Sequence, residues 1–441
     1  MGQVNDLDSF RALLAPEGRG LLDSLRDYDP SQELAVATRL RRTHAPELVS
    51  AALAQARLRQ RAVAKFGADD AYRMFFTPNG VEQSTRATVA AYRAGVFAAH
   101  GVRGVADLCC GIGGDALALA RAGIKVLAVD RDELTAEVAR ANAAALGLAE
   151  LIEVRCADVA DVDTSGWDAV FVDPARRGGR GRIFDPEAYS PPLSWAVGAA
   201  LKAPFAALKI APGIPHEAIP PQAEAEWISD GGDVKEAVLW FGGGAVEPGA
   251  GGRGSGAVEP AAGDRDSGAV EPGAAESPGA GGMRGAVTPG SVRATLLPAH
   301  ASLWTSAPLP APPVGPIGRY LYEPDGAVIR AHLVAEIVAA SGGRLVDETI
   351  AYVTNDEPYV SPYTTAYEIT DELPFNMKKL KALLREREVG ILTVKKRGSA
   401  VEPEELRRKM KLQGRNSATV FLTRVAGAPT MLVGHPVAAP A

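Results

Sequence analysis

The chain has 441 residues, with 47 Gly and 32 Pro against 11 Phe, 10 Tyr and 5 Trp, a Gly-plus-Pro share of about 18% where globular proteins carry roughly 12%. A 46% hydrophobic content excludes a wholly disordered chain, the glycines lack the period of three that collagen requires, and the formal charge is −6. At roughly 150 residues per domain the length predicts two or three domains.

No run of about 18 uncharged apolar residues occurs, so no membrane-spanning helix is expected. The acidic N-terminus lacks the apolar core of a signal peptide. Three cysteines without a CxxC, Cys109, Cys110 and Cys156, fit a reducing compartment, and a cytoplasmic location is the expectation.

In chain order, residues 1–98 read as helical: Leu34, Leu40, Leu48, Leu53 and Leu58 are interleaved with Ala, Arg and Glu, without strand-like alternation. Within them, 31–65 is basic, with Arg39, Arg41, Arg42, Arg57, Arg59, Arg61 and Lys65 against Glu33 and Glu47. Residues 99–296 alternate helical patterns with short apolar runs at 105–108, 125–129, 152–155, 169–172, 206–210 and 234–241. That rhythm predicts an α/β domain with a doubly wound parallel sheet, to which 291–296 adds a last strand. Between the last two strands, 242–290 holds 16 Gly, 5 Pro and no Leu, Ile or aromatic residue, with repeats at 244–248, 256–260 and 268–272. One Val per repeat builds no core, so this reads as a low-complexity, disordered insertion, an oversized hairpin loop if its flanking strands pair. Residues 297–317, with 6 Pro, read as a stiffer connector.

Residues 318–437 form a third, α/β region. Strands are expected near 350–354, 366–370, 389–394, 418–424 and 430–433, and helices near 327–341, 376–387 and 402–411. The stretch 375–425 carries 14 Lys/Arg and 5 Asp/Glu, a net +9 inside an acidic chain, which favours electrostatic capture of nucleic acid. The six histidines are scattered and make no metal-ligand cluster, so no metal is expected.

The first strand of the sheet runs into Asp107-Leu108-Cys109-Cys110-Gly111-Ile112-Gly113-Gly114 and then a helix. Glycines there let the backbone approach a ligand closely, and a helix start offers free N–H groups. Nicotinamide-binding domains share this feature. Asp130 ends the second strand, placed to hold ribose hydroxyls; Asp158 follows the third, and Asp173-Pro174 the fourth, so four strand ends converge on one crevice. Cys109 and Cys110 read as small residues under the loop rather than nucleophiles.

This ordered set resembles the motifs of the class I S-adenosylmethionine-dependent methyltransferases over roughly 75–296. The resemblance implies a seven-stranded Rossmann-like sheet and S-adenosyl-L-methionine as cofactor. It implies that Asp107, Gly111 and Gly113 line the methionine end, with Cys109 a further loop contact. Asp130 would hold the ribose, Asp158 the adenine amino group, and Asp173 and Pro174 would face the acceptor. Tyr320-Leu-Tyr-Glu-Pro-Asp-Gly-Ala-Val-Ile-Arg330 and Val394-Lys395-Lys396-Arg397-Gly398 resemble a narrower bacterial group with a C-terminal THUMP-like domain. THUMP domains in general bind RNA, which implies an RNA substrate, tRNA or rRNA. In that group a segment similar to Thr77–Thr85 precedes the catalytic domain and would cap the cofactor, making Gln83 a candidate contact.

Methyl transfer from a sulfonium is an in-line displacement, and for an amine acceptor an N–H acceptor helps more than a strong base. Asp173 and the Pro174 carbonyl suit that role, with Arg176 beside them as a third catalytic candidate. The run Asp173-Pro174-Ala175-Arg176 has no aromatic in the fourth place, which leaves exocyclic and ring nitrogens both open, along with methylation of a small molecule or protein and a non-catalytic RNA-binding scaffold. No cysteine stands in Lys209-Ile-Ala-Pro-Gly213, which disfavours covalent carbon methylation. Arg177, Arg180 and Arg182 beyond the acceptor site, and Lys395, Lys396 and Arg397 in the third region, are the candidate phosphate contacts.

Overall fold

The computed structural model describes residues 2–175, 177–178, 181–182, 185–242 and 286–437. Most of the 242–290 insertion lies outside them. The N-terminal helices are α1 (Gly2–Leu14), α2 (Pro16–Ser24), α3 (Glu33–Leu40), α4 (Pro46–Ala71), α5 (Pro78–Gln83) and α6 (Ala87–Ala99). The alternating region follows with β1 (Gly104–Leu108), α7 (Gly114–Arg121), β2 (Lys125–Asp130), α8 (Glu133–Ala145), β3 (Ile152–Cys156), β4 (Ala169–Val172), the two-residue β5 (Arg177–Gly178) and β6 (Gly181–Arg182), α9 (Leu193–Ala200) and β7 (Phe205–Ile210). After these come β8 (Glu224–Asp230), β9 (Asp233–Gly242), β10 (Val292–Leu297) and β11 (Ala301–Thr305). The C-terminal elements are β12 (Tyr320–Pro324), α10 (Gly326–Arg330), α11 (Val334–Ser341), β13 (Arg344–Asp347), β14 (Ile350–Asn355), β15 (Thr364–Pro374), α12 (Met377–Glu386), β16 (Val389–Lys396), α13 (Pro403–Met410), β17 (Asn416–Val425) and β18 (Ala428–Pro436).

The main sheet has nine strands, in the order β11-β10-β8-β9-β7-β4-β1-β2-β3, rather than the seven expected. Strand β8 lies between β9 and β10, so the insertion does not close a hairpin between its flanking strands. β8, with the sequence Glu-Ala-Glu-Trp-Ile-Ser-Asp, escapes a search for apolar runs because acids interrupt it. It turns into β9 through Gly231 and Gly232, both at positive φ (64° and 84°), the backbone a two-residue hairpin turn demands. β10 runs parallel to β8, and β11 pairs antiparallel with β10 inside the stretch read as a connector.

The chain divides into two compact units. Of the described residues, the first holds those up to 224 with 237–242 and 286–289, and the second holds 225–236 and 290–437. In the first, β3, β2, β1, β4 and β7 run parallel and β9 joins antiparallel to β7. Residues 105–108, 126–129, 169–172 and 205–210 are buried throughout, as strands covered on both faces must be. The strand order reverses between β1 and β4, and ligands in such sheets bind beyond the strand ends at that switch point.

In the second unit a seven-stranded sheet runs β13-β14-β12-β15-β18-β17-β16. Leu380 and Leu384 of α12 and Leu406 and Met410 of α13, each pair spaced by four, pack with Val420, Leu422, Met431 and Val433 of the sheet. The helix expected over 327–341 is two, because His332 at φ 58° breaks it. Among the described residues no helix is long and apolar enough to cross a membrane.

Candidate active site

The glycine loop leaves β1 at Leu108 and enters α7 through Gly113, its N-cap, at φ 87°; Gly111 stands at φ 57°. Cys109 also adopts a left-handed backbone, φ 67°, although a Cβ there costs about 1 kcal/mol. Its thiol is half-buried and that of Cys110 buried, and burial pushes both thiol pKa values up, so neither is a ready nucleophile. Asn142 of α8, itself buried, donates to the Ile112 carbonyl at 2.9 Å and exchanges bonds with the Phe75 backbone, accepting from its N–H at 2.7 Å and donating to its carbonyl at 3.0 Å. From the other side Gly80 of α5 presses on the loop: a Cβ there would sit 2.4 Å from Ile112 Cγ2. The segment before the sheet therefore packs directly on the glycine loop.

Beneath the loop lies a buried charge cluster. Lys209, near the C-terminal end of β7, donates to Asp173 Oδ2 at 2.6 Å and to Thr85 Oγ1 at 2.9 Å. Thr85 in turn donates to Asp115 Oδ2 at 2.7 Å, and Arg93 Nε reaches Asp115 Oδ1 at 3.3 Å while its guanidinium lies 4.6 Å above the Phe171 ring. Lys209 and Arg93 are buried, whereas the Asp173 side chain remains 23% exposed. The backbone N–H of Asp173 donates to the Leu108 carbonyl at 3.1 Å, tying the end of β4 to the start of the loop. Asp107 is fully buried beside this cluster, and among the described residues neither of its carboxylate oxygens meets a donor. Burial, reinforced by Asp115 and Asp173, holds its carboxyl well above the ordinary range against the pull of Arg93 and Lys209. With Asp107 ionised, three carboxylates face two cations and the cluster is one positive charge short, which a cationic ligand group beside Asp107 would supply.

The other candidates divide. Asp130 accepts the Gly111 N–H through Oδ2 and the Asp132 N–H through Oδ1, both at 3.0 Å, and burial raises its pKa despite these bonds. Asp158 is exposed and caps a short 3₁₀ turn through the Ala160 N–H at 3.0 Å, and Gln83 is exposed at the end of α5. Arg176 and Arg180 lie outside the described residues; Arg177 and Arg182 face each other across the β5–β6 pair by backbone alone. Lys395 and Arg397 both pair with Glu323, and Lys396 pairs with Glu402. Lys209, Asp115, Arg93 and Asn142 are not among the candidates that the sequence motifs single out, and Thr85 stands among them only as the end of the Thr77–Thr85 segment. Lys209 carried a signal: a lone charge inside a buried apolar strand must have a partner. Among the described residues no group of His, Cys, Asp and Glu is arranged to hold a metal.

A doubly wound sheet with a glycine loop and acids at successive strand ends is a framework that S-adenosylmethionine-dependent methyltransferases share in part with nicotinamide-binding domains, and residues 105–174 match the family described as methyltransferase domain, which decides between them. Residues 364–436 match the THUMP domain-like family, and 6–62 a domain family of unknown function. A protein of Mycobacterium tuberculosis described as an uncharacterized S-adenosylmethionine-dependent methyltransferase is 31% identical over 390 residues, 86% of this chain and 93% of the relative. The chain belongs to that family of S-adenosylmethionine-dependent methyltransferases. The crystal structure of a putative methyltransferase from Porphyromonas gingivalis W83 shares the fold, with a TM-score of 0.68 at 19% identity over 93% of this chain and all of that one. S-adenosyl-L-methionine is the cofactor, and the donor-less Asp107 carboxylate, short of one cation, fits its charge.

Proposed function

We propose that this chain methylates a nitrogen of a base in RNA, tRNA or rRNA, by in-line transfer. The observation that carries the reading is the Asp173 carboxylate at the end of β4, held through one oxygen by buried Lys209. S-adenosylmethionine, when bound, supplies an electrophilic methyl group on a sulfonium. Asp107 takes the ammonium group, Gly111 and Gly113 leave the backbone open beside it, and Cys109 and Gln83 add contacts. Asp130 holds ribose hydroxyls and Asp158 the adenine amino group. Lys209 occupies Oδ2 of Asp173, and Oδ1 accepts no hydrogen bond from the described residues. That oxygen, with the Pro174 carbonyl, accepts the N–H of the acceptor nitrogen and turns its lone pair toward the methyl group. Arg176, Arg177, Arg180 and Arg182 supply phosphate contacts next to the acceptor.

The RNA part of the reading is supported by the THUMP-like match and by the basic stretch that overlaps it. With Lys395, Lys396 and Arg397 engaged by carboxylates, the cations of this stretch without an ion pair among the described residues include Lys378, Lys379 and Arg385 of α12, which makes that helix a candidate phosphate-facing element. RNA from a strain lacking the protein, incubated with the purified chain and methyl-labelled cofactor, is expected to carry label in a base nucleoside. Label confined to protein or small molecules would overturn the RNA reading. Asp173→Ala should lose transfer while binding S-adenosylhomocysteine close to normally; surviving turnover would reject the acceptor-site assignment.

A further inference from the structure

Arg59, one of the seven bases in 31–65, is 6% exposed on α4. Its Nε donates to the Met74 carbonyl at 2.9 Å and its guanidinium lies 5.0 Å from the Phe75 ring centroid. Its two terminal amino groups have no hydrogen-bond or ion-pair partner among the described residues. Arg59 lines a cavity of about 400 Å³ within the first unit, together with Arg26 and Arg73. Arg26 is fixed over the Tyr72 ring at 4.9 Å, and Arg73 donates through one nitrogen to the Ala145 carbonyl at 2.6 Å. Asp23 and Asp69 line the same cavity, yet none of the three guanidinium groups forms an ion pair among the described residues. Three guanidiniums without ion pairs around one cavity, one of them on a residue that is only 6% exposed, form an arrangement that suits a bound anion. Burial, opposed only in part by the Asp23 charge, lowers the Arg59 pKa to about 10.

We propose that this cavity is a phosphate-binding site, with Arg59 at its floor and Arg26 and Arg73 around it. Three planar forks offer more donors than a carboxylate's two oxygens accept, and they suit the several oxygens of a phosphate. Asp23 and Asp69 are exposed and accept hydrogen bonds from hydroxyls, so the phosphate of a ribonucleotide, whose sugar carries such hydroxyls, fits both parts of the lining. The source is either the backbone of an RNA or a free nucleotide. The RNA source rests on the function proposed above; the site does not.

Calorimetric titration of the full chain with a nucleoside 5′-monophosphate and with an unstructured ten-nucleotide RNA tests this. Binding should weaken at least tenfold in Arg59→Met and several-fold in Arg26→Gln, an exposed variant that guards against loss of folding, with the melting temperature of the latter unchanged. A loss confined to the RNA titration assigns the site to polymer backbone; a loss confined to the monophosphate assigns it to a free nucleotide and leaves the RNA reading to the methyl-transfer assay. The proposal is overturned if neither ligand binds the wild-type chain, or if both bind the folded variants as tightly as the wild type.

Discussion

Asp107 is buried and meets no donor among the described residues, and such a group is tolerated only if it holds a proton or faces a cation. Its pKa is raised in the fold, whereas in the unfolded chain it titrates near 3.9. The stability this group contributes is therefore full below about pH 4 and is lost as pH rises toward and through the higher folded value. Asp107→Asn should remove that loss, so the unliganded variant keeps a flatter urea midpoint from pH 5 to pH 8 than the wild type. On the proposed placement, cofactor binding brings an ammonium group to this carboxyl and lets it ionise. Binding of S-adenosylhomocysteine to the wild type should then release up to about one proton, and to the variant none from this site, with weaker affinity. Calorimetry in two buffers of different ionisation heat measures the difference; equal release from both proteins would place the ammonium elsewhere.

Asn142 links three elements, since one side chain on α8 satisfies the glycine-loop carbonyl of Ile112 and both backbone groups of Phe75. Asn142→Leu keeps the volume and leaves those three groups unpaired in the interior, at a cost of about 3 kcal/mol in urea denaturation, together with weaker cofactor binding. A cost below about 1 kcal/mol would mean the helical region and the loop hold their places without it. This is also the scale at which the sequence is most and least readable. Strand β4 is wholly apolar, and β1, β2 and β7 stay apolar but for Asp107 in β1, Lys125 and Asp130 at the ends of β2 and Lys209 in β7, so all four declare themselves. β8 does not, because its Glu224 and Glu226 are buried and partnered, and alternation of acid and apolar residues looks like a loop until the partner is known: Glu226 accepts from Thr295, 69 positions along the chain. The site divides for the same reason. The acids at strand ends follow from local order, whereas the bond between Lys209 and Asp173 joins residues on different strands and no spacing rule announces it. Lys395 and Arg397 read as free charge in the sequence because their partner Glu323 lies 72 positions before Lys395.

At the scale of the whole molecule, charge is segregated: a chain of net −6 ends in a basic stretch, and pairing decides how much of that charge is available. Lys378, Lys379 and Arg385 lie on α12 without ion pairs among the described residues, while Lys395 and Arg397 share Glu323. Cations already paired release few counterions on meeting RNA, because their field is largely spent on the carboxylate; unpaired ones release close to one each. Changing Lys378, Lys379 and Arg385 together to Gln should therefore make the slope of log affinity against log salt shallower by about 2 for single-stranded RNA. Affinity should fall similarly across RNA sequences, and S-adenosylhomocysteine binding, which belongs to the first unit, should stay unchanged. The matching triple change at Lys395, Lys396 and Arg397 should move the slope by well under 1, and it should lower the melting temperature instead, because Glu323 is 17% exposed and loses both partners. Filter binding across a salt series with the three proteins decides the matter. If the 395–397 variant has the shallower slope and the α12 variant the wild-type one, the RNA-facing charge lies on the edge strand β16 and the pairs with Glu323 and Glu402 give way when RNA arrives.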